Sequence, residues 1–305
     1  MQTLEIILAA ALLAAVALVA GNNLSACVGT AIGAGILSRR AGIALGIAGY
    51  IAGLLLQGSS MIYAVHKLLP SPSALFVTEA LSVTVAIFII GHLMKAPLSL
   101  TMSLVGLITG ISVAHHLTVD SAYFSEVAVM WVIAPVLAIV SSYVLTKILS
   151  RSDTADIWRR VSVFKILLLM MSFLAAYVLG ANTVALMVAV AGFNTIDIAV
   201  AIIAVIAGCS LLSSRELKRI GHDLFSLRYS NALVTLANSV ILVEMATLFG
   251  IPLSNTQTLS AGVFGSGLSY RQRYISVKPF AVIVGGWILA PATATISATV
   301  LAPRT

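Results

Sequence analysis

The chain has 305 residues, of which 60% are hydrophobic and 9% charged, with a mean hydropathy of +1.09; lipid rather than water must meet most of its surface. A net charge of +7 would suit a nucleic-acid binder in a soluble chain. Here the basic residues sit in short gaps between apolar runs, where they set topology, and no nucleic-acid motif or partner is indicated.

Apolar stretches long enough to cross a hydrocarbon core of about 30 Å run over 4–38, 43–63, 74–94, 98–114 and 125–147, and again over 163–193, 196–213, 229–250, 253–268 and 279–301. The expected fold is all-α: a polytopic membrane protein of five segments followed by five. A first membrane repeat (1–149) and a second (163–305) are joined by a polar linker at 150–162 that contains SRSDTADIWRR. The N-terminal flank carries Glu5 and no Lys or Arg, which is wrong for a cleaved signal, so the first segment is expected to remain. The segments at 98–114 and 253–268 are short, and each is opened by a proline, as the second arm of a re-entrant hairpin would be.

With the N-terminus outside, alternation places 15 of the 17 Lys and Arg residues in the cytoplasm and leaves only Lys67 and Arg304 outside. Each half crosses an odd number of times, so the two halves are inverted in topology. They also share motifs. PLSLTMSL at 97–104 matches PLSNTQTL at 252–259, and AGNNLSA at 20–26 matches GANTVAL at 180–186; 75 residues separate Asn22 from Pro97, and 70 separate Asn182 from Pro252. Four polar motifs in register across an inverted repeat are the signature of a secondary transporter built from broken helices.

The first segment would be about 52 Å long as one helix at 1.5 Å per residue, so it should break, tilt or double back. Gly21, Asn22 and Asn23 mark the expected break, with a new helix starting near Leu24 and its free N–H groups facing inward. A helix N-terminus carries partial positive charge and binds anions. Asn182 and Thr183 repeat the arrangement from the opposite leaflet, and Ser99, Thr101, Ser254, Asn255 and Thr256 supply capping groups after the two prolines. Ser25 and Thr30 lie on the first stretch and complete the candidate substrate or ion site. No catalytic residue, metal site or tightly held cofactor is expected, only a coupling Na+ or H+.

Other polar features are weaker. Glu79 and Glu244 lie in apolar segments, as proton or cation sites, interfacial groups or structural hydrogen-bonders. His115, His116 and Asp120 read as a solvated outer loop. RELKRIGHDLFSLR at 215–228 reads as an amphipathic helix at the inner membrane surface. Cys27 and Cys209 stand at unrelated spacing in apolar segments, which implies buried thiols and neither a disulfide framework nor a metal site. A membrane enzyme would need a convergent acid, base, nucleophile or metal set, and none is visible. An anion channel would need a continuous polar lining, whereas polarity here is confined to four midplane breaks.

At these residues the sequence resembles the inorganic phosphate transporter family, whose repeated Gly-Ala-Asn-Asp-Val-Ala-Asn-Ala stretch corresponds to Ala20 to Gly33 and to the run from Gly180, with Gly29 and Thr30 at the family Gly-Thr. Its Pro-Val-Ser-Thr-Thr motif is similar to PLSLT at 97–101 and PLSNT at 252–256. The resemblance implies a dimeric, multi-pass transporter of the cell membrane whose paired motifs bind phosphate, usually with sodium. The family Asp is Asn23 in one copy and Thr183 in the other, the later Asn is Ala26 and Leu186, and a family Glu is Tyr50. Losing these carboxylates weakens sodium coupling and leaves the anion site intact. A related sulfate-permease branch also lacks the Asp, so phosphate is the first expectation and sulfate, with proton coupling, the second.

Overall fold

The computed structural model describes residues 2–93, 99–151, 157–212, 229–269 and 277–301. Its elements are α1 (Gln2–Gly33), α2 (Arg39–Gln57), α3 (Ser60–Leu68), α4 (Ala74–Leu93), α5 (Leu100–Ala114) and α6 (Ser121–Arg151). Then α7 (Ile157–Leu179) runs through a π-turn (Gly180–Val184) into α8 (Ala185–Ala191), and α9 (Thr195–Ala207) ends in a second π-turn (Gly208–Leu212). The series closes with α10 (Tyr229–Leu248), α11 (Asn255–Leu268) and α12 (Val277–Leu301). Among the described residues, seven helices are long and apolar enough to cross a membrane, and α4 and α5 add shorter apolar helices. The expected all-α, multi-pass architecture is the one observed. The expected segment 43–63 is divided at Gly58 and Ser59, where α2 gives way to α3. The basic stretch 215–228 lies outside the described residues.

The halves exchange equivalent partners. The α1 helix packs on α9 and its π-turn as α7 packs on α2, and α12 lies along α5 as α6 lies along α11. Glycine permits each crossing. A Cβ at Gly21 would come within 2.7 Å of the Gly208 carbonyl oxygen, and one at Gly53 within 1.8 Å of the Tyr177 oxygen. On the other pair, a Cβ at Gly106 would stand 2.6 Å from the Pro291 oxygen and one at Gly265 2.2 Å from the Ile139 oxygen. With lipid outside, such backbone-to-backbone packing is what holds apolar helices together.

The break expected at Gly21, Asn22 and Asn23 does not occur. The α1 helix is continuous for 32 residues, or about 48 Å, which exceeds the hydrocarbon thickness without an interruption. Gly21 serves close packing on Gly208 and not a turn. Ser25 Oγ and Cys27 Sγ bond back to the Asn22 and Asn23 carbonyls within the helix. The second copy is not broken either; it is widened into the π-turn.

Gly53→Ala should therefore destabilise the protein by about 1–3 kcal/mol or more through overpacking, visible as a lowered melting temperature in detergent. Gly285→Ala, where an added Cβ meets nothing within 4 Å, should melt like wild type.

Candidate anion-binding cavity

Two helices start in the interior, at α5 and α11. Ser99 is the N-cap of α5, in extended backbone, and its Oγ accepts from Met102 N at 3.4 Å. Ser254 is the N-cap of α11, also extended, with no capping bond from its side chain. The two caps meet: Ser99 Oγ donates to Ser254 Oγ at 2.9 Å, and Ser254 Oγ shares a 2.8 Å bond with Thr256 Oγ1. The first turns of both helices thus bring unpaired N–H groups and their positive dipole ends to one place.

That place is a partly enclosed cavity. It is lined by Asn22 and Asn23 from mid-α1, Phe88 from α4, Ser99, Leu100 and Thr101 at the start of α5, Leu179 and Thr183 at the π-turn, and Ser254, Asn255 and Thr256 at the start of α11. None of these side chains is charged. The Asn22 and Asn23 carboxamides make no hydrogen bond among the described residues, so their donors and acceptors are free for an occupant. Thr101 Oγ1 donates to Thr183 Oγ1 at 3.4 Å, which joins the two repeats across the cavity. Asn255 Oδ1 instead accepts from Ser239 Oγ at 2.8 Å, which fixes the carboxamide against α10.

Eight of the eleven sequence-predicted site residues line this cavity: Asn22, Asn23, Ser99, Thr101, Thr183, Ser254, Asn255 and Thr256. Three do not. Ser25 is buried and spends its hydroxyl on the Asn22 carbonyl. Thr30 lies two turns away, its Oγ1 buried without a partner. Asn182 is fully buried and fully engaged: its Nδ2 donates to Thr247 Oγ1 and to the Ile251 carbonyl, each at 3.0 Å, and its Oδ1 accepts from Leu253 N at 3.1 Å. Successive residues point about 100° apart around a helix, so Thr183 faces the cavity while Asn182, beside it in the π-turn, faces the segment before α11.

Neither intramembrane glutamate lines the cavity. Glu244 Oε1 accepts from Gln57 Nε2 at 2.9 Å, while its Oε2 and Glu79 Oε1 are buried without partners. In the loop between α5 and α6, Asp120 pairs with Lys67 at 2.7 Å, which holds its carboxyl below the usual range. Among the described residues, no group of three or more His, Cys, Asp and Glu could hold a metal ion. Cys27 and Cys209 are buried and form no disulfide.

The sequence held one further signal. WVIAP at 131–135 in α6 and WILAP at 287–291 in α12 repeat at matching places, 32 residues after Ser99 and 33 after Ser254. Trp131 Nε1 donates to the Pro252 carbonyl at 3.0 Å, so this motif belongs to the support of the cavity.

A model of the phosphate transporter family matches the chain twice, over residues 19–162 and 151–298. The chain belongs to the phosphate transporter family. It is 23% identical over 217 residues, covering 71% of each chain, to a Methanocaldococcus jannaschii protein named "Putative phosphate permease". To the sulfate permease CysP of Bacillus subtilis it is 22% identical over 291 residues, covering 90% of this chain and 80% of that one. A solved structure titled "The sodium-dependent phosphate transporter" superposes with a TM-score of 0.83 over 98% of both chains at 17% identity, which shows a shared fold. This family member is therefore a multi-pass membrane transporter protein and not an enzyme.

The two asparagines should separate in a melting experiment. Asn182→Ala strands three buried partners and should cost about 2–4 kcal/mol. Asn22→Ala removes an unpartnered carboxamide and should stay within about 0.5 kcal/mol of wild type.

Proposed function

We propose that the protein is a secondary active permease importing inorganic phosphate across the cell membrane by alternating access, coupled to a cation gradient. The observation that carries the reading is the convergence of two helix N-termini, through bonded serine caps, on an uncharged cavity of hydroxyls and carboxamides. Backbone N–H groups at such ends, with Ser, Thr and Asn donors, can surround a tetrahedral oxyanion and replace its water without a permanent positive charge. A fixed Lys or Arg would bind more tightly but release more slowly, which is a poor property in a carrier. The N-terminus outside and a homodimeric assembly belong to the same reading.

Sulfate, carried with protons, is the second reading, and one observation favours it. No carboxylate lines the cavity, and Asn23 and Thr183 occupy the places where the resembling family keeps its Asp. Phosphate near neutral pH still carries a proton that seeks an acceptor, whereas sulfate needs donors alone. The same absence removes the hard ligands that sodium would favour.

Purified protein in liposomes, given labelled phosphate or sulfate under imposed sodium or proton gradients, tests both readings. Saturable phosphate uptake driven by either gradient is the expected result; sulfate uptake without phosphate uptake would overturn the first reading in favour of the second. Asn22→Ala and Thr101→Ala should each reduce uptake at least about tenfold, the loss of one charge-assisted hydrogen bond. Full uptake in both variants would remove these residues from the site.

A further inference from the structure

Gly250, in the left-handed region at φ +65°, ends α10, and the non-helical residues 251–253 that follow deliver Ser254, Asn255 and Thr256 to the cavity. The carbonyls of 250–252 are not left to water. Tyr123 OH of α6 donates to the Gly250 carbonyl, Asn182 Nδ2 to the Ile251 carbonyl at 3.0 Å, and Trp131 Nε1 to the Pro252 carbonyl at 3.0 Å. Asn182 Oδ1 also takes the Leu253 N–H at 3.1 Å. Three consecutive carbonyls are thus held by three side chains from two different elements.

The grip is reciprocal. Pro135 lies inside α6, and its missing N–H leaves the carbonyl four residues earlier, that of Trp131, without its helical partner. Gln257 Nε2 of α11 donates to that carbonyl at 3.4 Å. Trp131 therefore holds the chain just before the α11 N-terminus with its indole, and is itself held by the first turn of α11 through its backbone. Tyr123 and Asn182 are each at least 97% buried, so water does not compete for the bonds they make to Gly250, Ile251 and Leu253.

We propose that Trp131, Tyr123 and Asn182 are positioning residues that form a clasp on 250–253 and set where the α11 N-terminus and its Ser254, Asn255 and Thr256 stand in the cavity. An oxyanion bound by N–H groups and hydroxyls is sensitive to their placement on the scale of an ångström. A clasp of directional hydrogen bonds defines that placement where apolar packing alone would leave the segment free to slide. Interhelical hydrogen bonds can also serve only to hold a membrane bundle together. The two roles differ in where the damage falls, locally at the α11 start or across the whole protein. The transport consequence rests on the proposed oxyanion site, whereas the structural consequence does not.

The test uses the full chain in nanodiscs, with Tyr123→Phe removing one donor and a single oxygen atom, and Trp131→Phe removing one donor and one ring of the indole. Amide hydrogen exchange should accelerate about fivefold to tenfold at 253–258, with α1 and α7 unchanged. In proteoliposomes the KM for the transported anion should rise several-fold, with kcat less affected. Ser125→Ala, whose hydroxyl bonds only within α6, should match wild type in both measurements. Unchanged exchange at 253–258 in Tyr123→Phe and Trp131→Phe would overturn the proposal whatever happens to transport. So would faster exchange spread evenly over the protein in Tyr123→Phe, which loses a single oxygen atom. Because exchange is read without any anion, loss of protection at 253–258 supports the clasp even if neither phosphate nor sulfate is carried.

Discussion

The hydrogen bond between Ser99 and Ser254, 2.9 Å long and buried at the meeting point of two helix starts, is the contact on which the rest of the architecture depends. A helix that begins inside a membrane protein exposes N–H groups that no lipid can satisfy. Two such helices begun at one point double the problem and concentrate it. The cavity between them answers that problem with a small volume of polar groups, and an anion is the occupant that its dipoles favour. The glycine crossings of α1 with α9 and of α7 with α2 bring the mid-helix asparagines and Thr183 close enough to form its remaining walls.

The electrostatic character of the site follows from what its walls lack. With neither cationic nor anionic side chains in the lining, the attraction this cavity offers an anion comes from partial charges fixed in the backbone and from hydroxyl and carboxamide dipoles. Glu79 and Glu244 stand apart from this lining.

Much of this was legible in the sequence, because lipid exposure and inverted repeats both leave periodic traces. Apolar runs gave the helices, and the repeated Pro-Leu-Ser motifs gave the two interior helix starts at Ser99 and Ser254. Gly21, Asn22 and Asn23 suggest a chain break in sequence, but α1 runs through them without one. Glycine followed by asparagine has the same one-dimensional appearance whether the glycine turns the chain or admits a neighbouring backbone, and only the presence of Gly208 against Gly21 decides between them. Asn182 is the repeat equivalent of Asn22, yet it stands in a π-turn that Asn22 lacks, and its carboxamide bonds to residues 251 and 253. No pattern of residue types announces that turn. Trp131 was available in the paired WVIAP and WILAP motifs, but an aromatic residue in a lipid-facing helix reads as membrane anchoring until its indole is seen on the Pro252 carbonyl.

The central claim is that an oxyanion sits between the starts of α5 and α11. It is tested most directly by an experimental structure with bound selenate or arsenate, located through anomalous scattering from the heavy atom. The account places that signal within hydrogen-bonding reach of Ser99, Thr101, Ser254 and Thr256, with the Asn22 carboxamide alongside. A signal at another place in the membrane domain, or none at saturating anion, would contradict it.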